Sequence, residues 1–294
     1  PDGREIFFSG SFGGSEYQPF AVTPEGQLRV ALEAPGGLTI HDVDHEGRWL
    51  ATRDTMSSSL MVHLAGDVED RNLSWLDSPS GGILSQDGRT LVFCEQAASV
   101  GSNYAVCMRT TAGSPVTRLG EGQPFDLSRD GKWVLAQVPS TPPRLMLYPT
   151  GPGESRQLER GTLERYSRGQ WFRDGSAVMI EAAEPGRGMR YYVQQTGGGA
   201  PRAVTPEGTS DGLLAPDERR ILARGPSGNY FLYPLDGGEP RQQAGLVAED
   251  ELLHWSVGGS SMLVARAGEV PYRIERVDLD SGRREPLRAI GSSD

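Results

Sequence analysis

A turn motif returns seven times along this chain at nearly constant spacing, each time followed by an apolar run. The copies are Pro1-Asp2-Gly3-Arg4, His45-Glu46-Gly47-Arg48, Gln86-Asp87-Gly88-Arg89, Arg129-Asp130-Gly131-Lys132, Arg173-Asp174-Gly175-Ser176, Pro216-Asp217-Glu218-Arg219 and the degenerate Val257-Gly258-Gly259-Ser260. Their second residues lie 44, 41, 43, 44, 43 and 41 positions apart. A unit this short cannot bury its apolar face alone and must stack on its neighbours. A period of about 40 to 45 residues with several short strands per unit is that of a β-propeller, one four-stranded blade per repeat. The expected fold is all-β: a seven-bladed β-propeller of four-stranded antiparallel blades, forming one domain over residues 1–294.

The local chemistry of the repeat supports this. Asp-Gly is a strong hairpin signal because the turn requires positive φ, which glycine adopts without a Cβ clash. A strand should follow, and the residues four and five places beyond the second motif position are apolar in every copy: Ile6-Phe7, Leu50-Ala51, Leu91-Val92, Val134-Leu135, Val178-Met179, Ile221-Leu222 and Met262-Leu263. Such runs suit strands covered on both faces. Three places before that position stand Val43, Leu84, Leu127, Trp171, Leu214 and Trp255, marking the end of a preceding inner strand. Further strands are expected at residues 104–108, 145–148, 191–194 and 230–233, followed by Gly-rich turns such as Asp236-Gly237-Gly238. Trp49 and Trp133 share one repeat position and Trp171 and Trp255 another, as packing residues would. Residue 1 already lies in a turn, so the first blade is expected to lack its inner strand within this chain, that strand lying upstream; the alternatives are a three-stranded first blade or a six-bladed ring with one repeat displaced.

Composition narrows the partners. There are 29 basic and 39 acidic residues, a net charge of −10, and no long basic stripe, so nucleic acid is not an expected partner. No apolar run approaches the roughly 18 residues of a spanning helix, and no membrane insertion is expected from this chain. Lys132 is the only lysine, a bias of high-GC bacterial genomes. The residues fix no compartment.

The motif with its flanks, Leu84-Ser85-Gln86-Asp87-Gly88-Arg89-Thr90-Leu91-Val92-Phe93 and Leu127-Ser128-Arg129-Asp130-Gly131-Lys132-Trp133-Val134, resembles the TolB-like, WD-related propeller repeat of bacteria. The resemblance covers essentially the whole chain. Asp70-Arg71-Asn72-Leu73-Ser74-Trp75-Leu76-Asp77 and Asn103-Tyr104-Ala105-Val106 look like segments of the C-terminal propellers of bacterial eukaryotic-like serine/threonine kinases and related regulators. The resemblance implies a non-catalytic sensor or scaffold that binds a protein or small ligand, with any catalysis elsewhere in the parent protein. The alternatives are the propeller of a prolyl-oligopeptidase-type hydrolase parted from its catalytic domain, or a metal-assisted enzyme using the channel mouth.

Several segments suggest chemistry and are better explained by the repeat. Gly208-Thr209-Ser210-Asp211-Gly212 matches a nucleophile elbow, but it leads into a strand rather than a helix, and no histidine follows in the pattern of that fold. His41-Asp42-Val43-Asp44-His45-Glu46 is dense in ligand-type groups, which strand alternation would divide between two faces. Gly10-Ser11-Phe12-Gly13-Gly14 lacks the ending of a phosphate loop. Cys94 and Cys107 fall on two strands of one hairpin, which leaves open either a disulfide or two buried thiols. No cofactor is expected.

The working face should be the one carrying the blade-to-blade loops and the connections between second and third strands, because a rigid scaffold can position such loops without burying their backbone. Its longest loop is expected at residues 159–168. The candidate binding residues there are Arg160, Arg165, Tyr166 and Arg168, with Arg53, Glu181 and Arg187 from neighbouring connections as a second ring. Arginine suits bidentate capture of carboxylate or phosphate, and tyrosine suits interface contact.

Overall fold

The second to sixth copies of the turn are closed by their own side chains. In the computed structural model, which describes residues 3–11, 17–32, 37–54, 57–64, 66–266 and 268–291, the motif aspartates accept a hydrogen bond from the backbone N–H two residues on. The donors are Arg89 to Asp87 (3.1 Å), Lys132 to Asp130 (3.1 Å), Ser176 to Asp174 (2.9 Å) and Arg219 to Asp217 (3.0 Å). The Ser85 and Ser128 hydroxyls donate to Asp87 and Asp130 and accept from the N–H of Thr90 and Trp133. These bonds hold both carboxyls below the usual range, the serine hydroxyl contributing most. In the second copy Asp44, two places before Glu46, takes this part by accepting from the N–H of Glu46 and Arg48. The glycine of the motif keeps φ near +70° at Gly88, Gly131 and Gly175, and Glu218 adopts φ 56° in the copy that lacks it. Pro1, Asp2, Phe12, Gly13 and Gly14 lie outside the described residues.

The strands follow the repeats. The first contributes β1 (Ile6–Gly10), β2 (Gln18–Val22) and β3 (Leu28–Val30), a sheet of three. The second gives β4 (Gly37–Val43) paired with β5 (Trp49–Asp54), and β6 (Met61–Val62) paired with β7 (Arg71–Asn72). Each later repeat forms an antiparallel sheet of four: β8 (Pro79–Leu84), β9 (Thr90–Glu95), β10 (Ala105–Thr110) and β11 (Thr117–Glu121); β12 (Gln123–Leu127), β13 (Trp133–Val138), β14 (Arg144–Pro149) and β15 (Arg156–Gln157); β16 (Arg165–Trp171), β17 (Ala177–Ala183), β18 (Arg190–Gln195) and β19 (Arg202–Ala203); β20 (Ser210–Leu214), β21 (Arg220–Arg224), β22 (Tyr230–Pro234) and β23 (Arg241–Gln242); β24 (Asp250–Trp255), β25 (Ser261–Arg266), β26 (Tyr272–Asp278) and β27 (Arg284–Ile290). Every first strand from β4 onward in this series (β4, β8, β12, β16, β20, β24) ends on the apolar residue three places before the second motif position. Among the described residues no helix is long and apolar enough to cross a membrane.

The chain divides into two compact units. One comprises residues 1–124, 136–141 and 148–154, and the other residues 125–135, 142–147 and 155–294. The first packs Val62, Leu73, Leu91, Phe93, Ala105 and Cys107 together. In the second, Leu135, Leu163, Trp171, Val178, Ile180 and Tyr192 form one cluster, and Leu222, Tyr230, Trp255, Met262 and Val277 another. All seven residues of β17 are buried, as a strand covered on both faces requires. The expected burial fails at Ile6 and Leu50, each 64% exposed. β1 stands at the edge of a sheet of three and β5 in a sheet of two, so each has fewer covering neighbours than its counterparts.

Leu91, Leu135 and Ile221, all fully buried, should each cost about 2 to 5 kcal/mol when replaced by alanine. Ile6→Ala and Leu50→Ala should change stability by less than about 1 kcal/mol. Chemical denaturation of the five variants checks the contrast, and equal losses across both groups would show that the repeat register is wrong.

Candidate functional site

The structure moves the candidate residues from a loop onto strands. β16 begins at Arg165, so Arg165, Tyr166 and Arg168 belong to the first strand of the fifth repeat, and only Arg160 lies in the segment before it. A register shift between Tyr166 and Arg168 sets Arg168 opposite Glu181 on β17. Tyr166 turns inward. It is 8% exposed within the cluster of Leu163 and Ile180, and burial pushes its phenol up to about 12. Its expected place at an interface is therefore corrected to the core. Glu181 is likewise mid-strand rather than in a connection, 4% exposed, and raised by burial against the lowering effect of Arg168.

Two groupings emerge in the second unit. In one, the Arg168 guanidinium lies 3.9 Å from Glu181 and 3.5 Å from Asp211, while Arg224 reaches Asp211 from its other side at 3.6 Å. Asp211 sits at φ 51°, at a register shift between Ser210 and Leu213. The next residue must be glycine, because a Cβ on Gly212 would stand 2.7 Å from Ile221 and 2.9 Å from the Tyr191 ring. Arg224 also donates to the Tyr230 hydroxyl and the Asp250 carbonyl, and Arg284 clasps the Asp250 carboxylate through two bonds of 2.8 Å. A charged ladder thus links the fifth, sixth and seventh repeats. In the other grouping Arg165 donates to the Arg187 carbonyl (3.0 Å), and Arg187 pairs with Glu207 and Glu184. Arg160 donates to the Leu163 carbonyl. Arg53 is on β5 in the first unit, paired in register with Leu38.

At the other end of β16 lies a cleft that the sequence reading missed. It has a volume of ≈ 240 Å³ and is lined by Asp126, Arg129, Trp171, Arg173, Pro216 and Glu218, among others. Its walls are tied across repeats by side chains one place before the conserved apolar position. Asp126 accepts from the N–H of Trp171, and Gln170 from the N–H of Leu214, at 2.8 and 2.9 Å. Asp126 also accepts from Leu127 (2.8 Å), and desolvation nevertheless lifts its carboxyl from 3.8 to about 6. The signal was present as a polar residue recurring beside an apolar one, but only the fold reveals that it reaches the next repeat.

The remaining motifs resolve locally. Ser210 donates to the Asp211 carboxylate (3.0 Å), while His41 contacts Thr52, His63 contacts Asp70 and His254 contacts the Trp255 carbonyl. A register shift between Ile40 and Asp42 breaks the alternation expected for the His41–Glu46 segment, and among the described residues no three His, Cys, Asp or Glu side chains converge for a metal. Cys94 pairs with Val106 and Cys107 with Phe93, so the two thiols are offset by one residue onto opposite faces. Both are free and buried, and desolvation raises them to about 11 and about 12.

No protein-family model matches the chain, and no curated protein matches it. Solved structures do. The chain is similar to TolB from Acinetobacter baumannii, with a TM-score of 0.60 over 98% of this chain and 80% of that one at 12% identity. It is similar to a prolyl endopeptidase at a TM-score of 0.54, covering 98% of this chain but 48% of that one, also at 12% identity. An oligogalacturonate lyase in complex with manganese gives 0.56 over 99% and 76% at 16% identity. At these identities the likeness defines the fold alone, a TolB-like β-propeller.

Burial makes the folded state hold the Asp126 proton more tightly than the unfolded chain does. The carboxyl's favourable contribution is therefore complete below about pH 4 and is lost as pH rises through about 6. Asp126→Asn cannot ionise, so its melting temperature should gain on that of the wild type as pH rises from 4 to 7, whatever the constant offset from one lost hydrogen bond. Parallel melting curves across that window would show that Asp126 does not titrate in the fold.

Proposed function

We propose that this chain is a seven-bladed, non-catalytic propeller that binds a protein or small ligand at the loop ends of its fifth and sixth repeats, as the sensing or docking part of a larger bacterial protein. Seven copies of the turn motif, serving sheets in chain order, support the blade count. The observation that carries the binding reading is a discontinuous ridge of fixed guanidiniums, Arg165 and Arg187 in one grouping and Arg168 in the other. Each guanidinium is held from below by a carboxylate or a carbonyl while Arg168 and Arg187 stay about half exposed. Groups already ordered lose little further freedom on binding, so more of their interaction energy becomes affinity. Arg160 and Glu181 act here by positioning the backbone and Arg168, and Tyr166 by filling the core beneath them; Arg53, in the first unit, stands at the repeat position that Glu181 holds here.

A second reading draws on the prolyl endopeptidase likeness, in which this chain matches about half of the other protein. On that reading the chain is the propeller of a hydrolase, and the chemistry belongs to another domain. Both readings assign the chain itself no catalytic step, since Ser210 is engaged by the neighbouring carboxylate on a strand rather than raised on a strand-to-helix turn.

Arg165→Ala combined with Arg187→Ala should sharply reduce capture of partners from a lysate of the source cells. The melting temperature should barely move, because exposed ion pairs contribute about 0 to 1 kcal/mol. Undiminished capture would count against the ridge. The full-length protein should react with an active-site phosphonate only outside this chain; labelling lost on Ser210→Ala would overturn the non-catalytic assignment.

A further inference from the structure

We propose that the cleft at the turn end of β16 is a second site, binding an organic carboxylate between Arg129 and Arg173 independently of the ridge. Both arginines occupy the place just before the motif aspartate, in consecutive repeats, and both line the cleft. Both side chains are exposed, and neither guanidinium has a partner among the described residues. In the same unit Arg168, Arg187, Arg190, Arg224 and Arg284 each face a carboxylate. Among the described residues Arg129 and Arg173 differ from these five in having no carboxylate at ion-pair distance, although the chain carries ten more acidic than basic side chains.

The acids nearby explain why these arginines stay available. Both Asp126 oxygens accept backbone N–H groups, from Leu127 and Trp171, and Glu218 accepts the backbone N–H of Arg173. Carboxylates occupied by backbone donors lie in the cleft without neutralising the guanidiniums. The lining is mainly polar, and Trp171, Phe172, Leu214 and Pro216 contribute its smaller apolar part, against which the short carbon body of an organic anion can rest and inorganic phosphate cannot. A planar guanidinium matches a carboxylate through two parallel bonds, and two of them give a site for an acid whose carbon body rests on that wall. The same carboxylate chemistry is offered by a free dicarboxylic acid and by an acidic peptide.

Titration calorimetry on the full chain with glutarate, with N-acetyl-Glu-Glu-amide and with inorganic phosphate tests the proposal. Saturable binding of glutarate or the peptide is expected, with Arg129→Gln and Arg173→Gln each weakening it about tenfold. Binding of the peptide alone assigns the source to an acidic segment of a partner, and binding of both admits the free acid. Arg165→Ala with Arg187→Ala should leave these titrations unchanged, so failure of the ridge and failure of the cleft are separable. Equal binding of phosphate, undiminished binding in both glutamine variants, or no binding of either acid would overturn the proposal. Both positions are exposed, and unchanged melting of the glutamine variants confirms that a loss reflects the site.

Discussion

The bond on which the rest of this structure depends runs, in the second to sixth copies of the tight turn, from a backbone N–H to the aspartate two residues earlier. It sets where the first strand of a repeat stops and the second begins, and so fixes which residues face the core. A slip of one residue would send the apolar set of β13 or β17 to the opposite face. Ser85 and Ser128 stiffen the turn by bridging the aspartate to the start of the following strand. Where the pattern drifts, the bond persists. Asp44 supplies it from a neighbouring place, and Glu218 accepts left-handed geometry in place of glycine while its carboxylate reaches the backbone of the preceding repeat at Arg173.

A second layer of bonds joins repeats in the second unit. Asp126 and Gln170 each spend a side-chain acceptor on the N–H at the end of the next repeat's first strand. This satisfies backbone donors that the sheet leaves unpaired, and it leaves an open cleft between the turns. It also consumes acid: a carboxylate committed to backbone amides is a poor partner for a guanidinium. Arg129 and Arg173, at the turns beside these acids, therefore stay without an acidic partner among the described residues even though the whole chain is acidic.

The architecture was legible because its signals are periodic. One aspartate, one glycine and the apolar places around them recur often enough to locate nearly every first and second strand. The site was less legible because its signals are not periodic. Arg165, Tyr166 and Arg168 read as loop, since alternating polar and aromatic residues before a strand look the same as its first residues. The register shift after Tyr166 then decides which of them turns inward, and it leaves no mark in the sequence. Glu181 read as a connection because a charged residue within an apolar run suggests the run has ended; in the fold, Arg168 offsets part of its burial. Cys94 and Cys107 were correctly placed on one hairpin, but an offset of one residue separates them. Arg129 and Arg173 were hidden inside the motif itself, where a variable residue before Asp-Gly passes for turn filler.

β16 brings the two candidate surfaces into one physical relation. Seven residues of strand span about 20 Å, with Arg165 at one end, Arg168 at the middle and Trp171 at the other end. Toward the first end the positive charges are ordered and shared with Glu181 and Asp211, so a ligand there must compete with internal partners and gains mainly from their fixed geometry. At the other end Arg129 and Arg173 have no acidic partner to displace, so a ligand's own carboxylate supplies the first neutralising charge they meet. On the two proposals, binding at the first end would be set by shape and preorganisation, and at the second by charge. An increase in salt should weaken the second far more than the first, because exposed unpaired charges are screened most effectively.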